Sequence, residues 1–207
     1  VEEDVAFMSK DLLTSKEGSA KVPVVFQTAT GIRLNVEEIE VSKKIGEGSF
    51  GIVYKGTYQG NDVAVKYLKM AEVSSDEMEE FRKEVEMLDK FRCDQIVLFY
   101  GACFIPTKVC MVTEFADHGS LQDMINNERI PSERLRLKFM LDTAKGIEYL
   151  HNNGILHRDI KPDNVLVFSL DETLPVNGKL TDFGSSRNVN LLMTNMTFTK
   201  GVGTPVY

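Results

Sequence analysis

Three glycines spaced as Gly46-Glu47-Gly48-Ser49-Phe50-Gly51 run directly into Ile52-Val53-Tyr54-Lys55-Gly56-Thr57-Tyr58, and that continuation limits the possible folds more than any other feature. A GxGxxG in a dinucleotide-binding crossover opens a helix at its third glycine. Residues 52–58 are instead rich in β-branched and aromatic residues, which favour a strand. The glycines therefore occupy the turn of a β-hairpin. Their missing side chains let backbone N–H groups approach phosphate oxygens closely, although the motif alone is equally an ordinary glycine-rich turn.

Strand character extends to both sides. Ile39, Val41 and Ile45 alternate with polar residues before the glycines, and residues 63–68 form another β-branched run after the turn residues Gly60-Asn61-Asp62. Ser74 and Glu77 have capping-box spacing, and Phe81, Val85 and Leu88 make a helical stripe behind them. Residues 96–104 and 109–113 complete a small antiparallel sheet with one helix. The second half changes to a short helix at 121–126 and a long one at 132–152, with Leu137, Leu141, Ala144, Ile147 and Leu150 at helical spacing. A loop (156–164), an apolar strand (165–168), a polar loop with Pro175 and Asn177-Gly178, and a strand mate (179–181) follow. The threonine-rich tail, 185–207, reads as an extended loop. The pattern predicts an α+β chain of two lobes joined near residues 115–119, with a cleft between them where ligand sites tend to lie. Residues 1–35 lack a sustained period and are a lead-in with no assigned function.

Composition narrows the class. The formal charge of −7 and pI near 5.1 disfavour a dedicated nucleic-acid or anionic-membrane surface. Cys93, Cys103 and Cys110 show no CxxC spacing and sit in apolar surroundings, which reads as buried, reduced thiols in a reducing compartment. His118, His151 and His157 form no metal-binding pair. No apolar run approaches the roughly 20 residues of a membrane helix, and the acidic start is not a signal peptide. A soluble cytoplasmic chain is expected, with a membrane role only through an anchor preceding Val1.

Two charges sit where apolar residues belong. Lys66 shares a strand face with Ala64 and Leu68, and Val63, Val65 and Tyr67 point the other way, so either both faces are buried or a lysine points inward. Burying an unpaired ammonium costs several kcal/mol or more, on the order of a full ion desolvation. Glu84 falls within the stripe of Phe81, Val85 and Leu88 and is the natural partner. Farther on, His157-Arg158-Asp159-Ile160-Lys161-Pro162-Asp163-Asn164 is bounded by Ile155-Leu156 and Val165-Leu166-Val167, so a polar loop emerges from a core. Asp182-Phe183-Gly184 follows 18 residues after Asn164 and puts a carboxylate at a strand end. An aspartate and an asparagine oxygen converging from adjacent loops are hard ligands that Mg²⁺ accepts when phosphates supply the remainder.

Taken in order, the glycine loop, Val63-Ala64-Val65-Lys66, the helix glutamate, His157 to Asn164 and Asp182-Phe183-Gly184 resemble a eukaryotic protein kinase from about Val36 to the last residue. The resemblance implies a small β-rich lobe (36–115) and a large helical lobe (116–207, ending within the activation segment), preceded by a lead-in or a receptor kinase's juxtamembrane-like segment (1–35), with ATP and Mg²⁺ as cofactors. Ile96-Val97-Leu98-Phe99-Tyr100-Gly101 resembles the tyrosine-kinase-like group, whose members mostly modify serine and threonine.

By this resemblance Asp159 receives or orients the substrate hydroxyl proton, Asn164 and Asp182 hold Mg²⁺, and Lys66, fixed by Glu84, holds the α- and β-phosphates. Ile45, Gly46, Gly48, Ser49 and Gly51 would cover the nucleotide, with Val53, Ala64 and Leu166 around the adenine. Thr113 takes the gatekeeper position, and Glu114, Phe115 and Ala116 form the hinge. Leu88, Phe99, His157 and Phe183 match the apolar stack of active kinases. Lys161 and Gly203-Thr204 resemble serine/threonine enzymes, and the implied partners are ATP, a Ser/Thr-bearing protein substrate and an upstream kinase. Arg158 beside Asp159 implies a loop ordered by phosphorylation at Thr194, Thr197 or Thr199. The alternatives are a dual-specificity or tyrosine kinase and a nucleotide-binding pseudokinase scaffold. The loop between Phe168 and Leu180 is longer than the family's and reads as a tolerated surface insertion. The chain stops at Tyr207, short of the family's remaining helices, and is expected to expose apolar surface on the 132–152 helix and to be unstable or inactive alone.

Overall fold

In the computed structural model, residues 34–47, 51–69, 75–105 and 108–188 are described. β1 (Glu40–Glu47), β2 (Gly51–Tyr58), β3 (Asn61–Leu68), β4 (Phe99–Ile105) and β5 (Lys108–Glu114) form one antiparallel sheet in the order β1-β2-β3-β5-β4. The β2–β3 connection is tighter than the sequence suggests. Tyr58 pairs with Asn61, so the turn is Gln59-Gly60, both at positive φ (49° and 78°), and Asn61 and Asp62 already belong to β3. Two left-handed residues give the turn whose twist matches that of the paired strands. β1 is a sheet edge, and Val41 and Ile45 are exposed on it despite their alternation.

Each sheet face has its own cover. Helix α1 (Ser75–Lys90) lays Phe81, Val85 and Leu88 against Leu68, Ala102, Phe104, Val109 and Met111. Such burial contributes about 1.5–3 kcal/mol per large side chain. Ser74, the expected helix cap, lies outside the described residues. The opposite face gathers Tyr58, Val63, Val65, Cys103, Cys110 and Val112 under Leu34. Leu34 is fully buried over Gly101, where an added Cβ would come within 2.9 Å of the leucine Cβ and where φ is 154°. Asn35 caps the 3-10 turn Val36–Glu38, and its N–H donates to the Tyr58 hydroxyl at 3.3 Å. Leu34 and Asn35, grouped by sequence with the lead-in, therefore pack as part of the small lobe.

The large lobe is built on α2 (Leu121–Asn126) and α3 (Glu133–Asn152), each opened by a serine cap, Ser120 and Ser132. α3 buries Leu135, Phe139, Asp142, Gly146 and Leu150, while Leu137 and Leu141 of the expected stripe are 59% and 53% exposed. The choice of face follows from what packs there. Asp142 accepts the backbone N–H groups of Asn177 and Gly178 at 2.8 and 3.0 Å, and the Leu180 side chain fills the space a Cβ on Gly146 would need. β6 (Ile155–Leu156) pairs with β9 (Arg187–Asn188), and β7 (Val165–Val167) with β8 (Gly178–Leu180). Thus the tail expected to be loop from residue 185 opens with a strand. The long 169–177 loop is pinned to the start of α3: Glu172 bonds Ser132, and Lys138 donates to the Glu172 carbonyl at 3.2 Å. The lobes are stitched where Leu180 N–H donates to Gln95 O (2.8 Å) and Val97 N–H to Leu180 O (2.9 Å). Among the described residues, no helix is long and apolar enough to cross a membrane.

Candidate active site

Sheet register assembles the first part of the site. Val53 lies opposite Lys66, Lys66 opposite Met111, and Ala64 opposite Thr113, so all five share one face. Val63 and Val65, on the other face, are also buried, so β3 is covered on both sides. The α1 stripe points Glu84 at the same spot, and Lys66 Nζ lies 3.0 Å from Glu84 Oε2. Burial pulls the Lys66 ammonium down, but Glu84 and Asp182 outweigh it and leave its pKa above the ordinary lysine value.

The second part is the loop between β6 and β7. Asn164 donates through Nδ2 to the Asp159 carbonyl at 2.8 Å and to Asp159 Oδ2 at 3.0 Å, and Lys161 Nζ lies 3.0 Å from that same Oδ2. Its hydrogen bond to Asp159, opposed by burial and aided by Asp163 and Asp182, raises the Lys161 pKa. The loop is tied to the Asp182 segment: Thr181 N–H donates to Asn164 O, and His157 Nε2–H donates to Thr181 O, both at 3.0 Å. Burial holds His157 below its usual pKa against the pull of Thr181, Asp182 and Asp159, so a neutral ring suits this place. Phe183, fully buried, sits with ring centroids 5.0 Å from both His157 and Phe91. Leu88 joins that core and Phe99 lies at its margin, while Phe91 is a member the sequence reading missed. Arg158 (φ 68°) and Asp182 (φ 59°) hold left-handed backbones that cost non-glycine residues of order 1 kcal/mol or more and persist where packing enforces them.

Asp182 is thus close enough to act electrically on Lys66, Lys161 and His157 together, which brings the two lobes' polar residues into one constellation. Asn164 commits its amide nitrogen to Asp159, which leaves its side-chain oxygen available as an acceptor in the loop tied to the Asp182 segment. Among the described residues, no three His, Cys, Asp or Glu side chains cluster as a metal cage. That donor set fits a hard cation completing its shell with phosphate and water oxygens.

The connector supplies the third part. Glu114 ends β5, Ala116 is buried, and Ser120 bridges to Leu166 of β7, placing Leu166 beneath the connector. The Glu114 carboxylate accepts from Leu98 N–H at 2.6 Å and from Lys179 Nζ at 2.7 and 2.9 Å. Lys179, on β8 and also over the Phe168 ring, was not found by sequence reasoning, because a lysine in a polar stretch carries no signal of a partner 65 residues away.

At the glycine turn, Gly46 pairs with Val53, Ile45 is exposed, and Gly51 opens β2, while Gly48 and Ser49 lie outside the described residues. Hydrogen bonds from Lys44 and Lys69 hold the Glu47 carboxyl down to about 2. Arg158 donates through Nε to Ser185 O at 2.6 Å, and burial and the neighbouring Arg187 lower its pKa. Thr194, Thr197, Thr199 and Thr204 lie outside the described residues. Two open cavities, of about 410 and 360 Å³, lie against the 169–177 loop rather than at this constellation, so chemistry and not concavity locates the site.

Residues 39–207 match the protein kinase domain. The chain is 39% identical over 183 residues to a probable serine/threonine-protein kinase of Dictyostelium discoideum, covering 87% of this chain and 19% of that protein. It is 34% identical over 187 residues to a serine/threonine-protein kinase of Arabidopsis thaliana (90% and 32%) and 44% identical over 155 residues to a probable one from the same plant (73% and 14%). The chain spans less than a third of the length of each of these relatives. With its paired Lys66 and Glu84, its Asp159 loop and the match across residues 39–207, the chain belongs to the protein kinase domain family.

Proposed function

We propose that this chain carries the nucleotide site and catalytic loop of an ATP- and Mg²⁺-dependent serine/threonine protein kinase of the tyrosine-kinase-like group. The observation that carries the reading is the Asp159 carboxylate, held by Asn164 and Lys161 in the same constellation as Asp182, Lys66 and Glu84.

Val53, Ala64 and Leu166 enclose the adenine, Thr113 stands behind it, and the backbone from Glu114 to Ala116 meets its edge. Backbone N–H groups of the glycine motif would meet the phosphates. Lys66, fixed by Glu84, holds the α- and β-phosphates. The substrate hydroxyl oxygen forms a bond to the γ-phosphorus as the bond to the β–γ bridging oxygen breaks and ADP departs. Asp159 orients that hydroxyl and accepts its proton. Lys161 reaches Asp159 and balances negative charge on the transferring group. Asn164 and Asp182 would hold Mg²⁺, which would supply neutralisation of the phosphate charge. Positioning and electrostatics supply most of the rate in such a transfer.

Lys161 beside Asp159 and the relatives' printed names support serine and threonine as acceptors. For regulation, Arg158 and Arg187 set two guanidiniums near each other at the segment leading to Thr194, Thr197 and Thr199, and a phosphothreonine introduced there by an upstream kinase would neutralise them. Phosphoamino-acid analysis of a mixed peptide library labelled with [γ-³²P]ATP by the full-length protein tests the acceptor class. Phosphoserine and phosphothreonine are expected, and predominant phosphotyrosine would refute it.

A further inference from the structure

Cys103 of β4 and Cys110 of β5 lie directly opposite one another in the antiparallel register. They face away from the nucleotide site, in the outer-face cluster with Tyr58, Val63, Val65 and Val112, and no disulfide joins them. A directly opposed pair has Cα atoms about 4.5 or 5.5 Å apart, depending on the bonding pattern. Both values fall within the roughly 4.4–6.8 Å a disulfide spans, and side-chain rotation with a small strand adjustment brings the sulfurs together.

Two residues border the pair in the cluster. Tyr67 continues the same cross-strand row, opposite Cys110, and is only half-buried. Burial, Cys110 and Cys103 push its phenol up. On the other side Leu34 is seated on Gly101, two residues from Cys103 on the same strand face. Leu34 precedes β1 and pairs with no strand, so displacing its side chain would break no ladder pairing.

We propose that Cys103 and Cys110 are a reversible modification site that closes to a cross-strand disulfide when hydrogen peroxide reaches them, with the Leu34 strap governing access. One thiolate attacks the peroxide, the O–O bond breaks, and a sulfenic acid forms as water leaves. The second thiolate attacks that sulfur, the S–S bond forms, the S–O bond breaks, and a second water leaves. The two sulfurs supply two electrons to the peroxide, and their two protons end in the waters. Closing a cross-strand pair strains the bridge and keeps it reducible, as suits a transient bond in a reducing compartment. The bridge would clamp the strand that carries Thr113 and Glu114 into the connector.

The test uses the full chain with Cys93→Ser, because Cys93 is partly exposed. The chain is treated with hydrogen peroxide under native conditions and digested without reductant for mass spectrometry. The expected product joins the Cys103 and Cys110 peptides with two hydrogens lost, is reversed by dithiothreitol, and forms several-fold faster in a Leu34→Ala background. Peptides recovered unlinked from protein that keeps its near-ultraviolet circular dichroism, or linkage only at unfolding concentrations of urea, would overturn the site. An unchanged rate in folded Leu34→Ala would overturn the strap's role.

Discussion

Replacing Lys179 with methionine removes the cation that the Glu114 carboxylate holds and leaves that carboxylate with the Leu98 N–H. At 2.7 Å, an effective dielectric near 20 gives a bare attraction of about 6 kcal/mol, set against several kcal/mol of desolvation per ion. The side chains are 18% and 17% exposed, so the pair belongs between a surface pair at about 0.2–1 kcal/mol and a buried one whose breakage costs about 3–5 kcal/mol. Lys179→Met is expected to destabilise by about 2–3 kcal/mol, because it strands a largely buried charge. Glu114→Gln keeps an acceptor for Leu98 and should cost less. A double-mutant cycle with Glu114→Gln, read by urea unfolding, should return a coupling of about 1–2 kcal/mol. A coupling below about 0.3 kcal/mol would show that the contact is a screened surface pair and refute the reasoning.

Glu84→Gln keeps a hydrogen-bond acceptor for Lys66 but removes its counter-charge, and is expected to weaken ATP binding by roughly tenfold or more, measured by calorimetry (~1.4 kcal/mol per tenfold). Leu34→Ala should lower unfolding free energy by about 2–5 kcal/mol, the range for buried leucines, and denaturant melts of the two proteins compare directly. The His157 pKa is lower in the fold than in the unfolded chain, so just below the unfolded value the unfolded state binds more protons. Stability is therefore expected to fall as pH drops from about 6.5 toward 5, with a shallower slope in His157→Gln; unfolding midpoints across that window check the sign.

The residues legible in sequence were those whose chemistry conflicts with their local pattern. Lys66 and Glu84 interrupt apolar patterning, and their 3.0 Å contact is the resolution that burial demands. Glu114 closes an apolar strand where a polar residue is ordinary and Lys179 lies in a polar stretch, so neither signals a partner, and the two meet only when the lobes do. The α3 stripe held at Ile147 and Leu150 but not at Leu137, Leu141 and Ala144, for a related reason. That helix carries apolar residues on more than one side, and periodicity does not say which side Asp142, Gly146 and the β7–β8 hairpin will claim. Leu34 was invisible because the lead-in's apolar residues follow no sustained period, and what selects Leu34 is the space above Gly101. β9 is two residues long, too short to leave a pattern.

The central claim is that Asp159 serves phosphoryl transfer, and the most direct measurement is radiolabel transfer from [γ-³²P]ATP to a protein substrate by full-length wild type and Asp159→Asn. The variant keeps the size of the side chain and the nucleotide site but loses the carboxylate that orients and deprotonates the hydroxyl. Transfer is expected to fall by about 10²–10⁴-fold, the range of general-base contributions, with ATP affinity within a few-fold of wild type. Equal transfer by the two proteins would contradict the account.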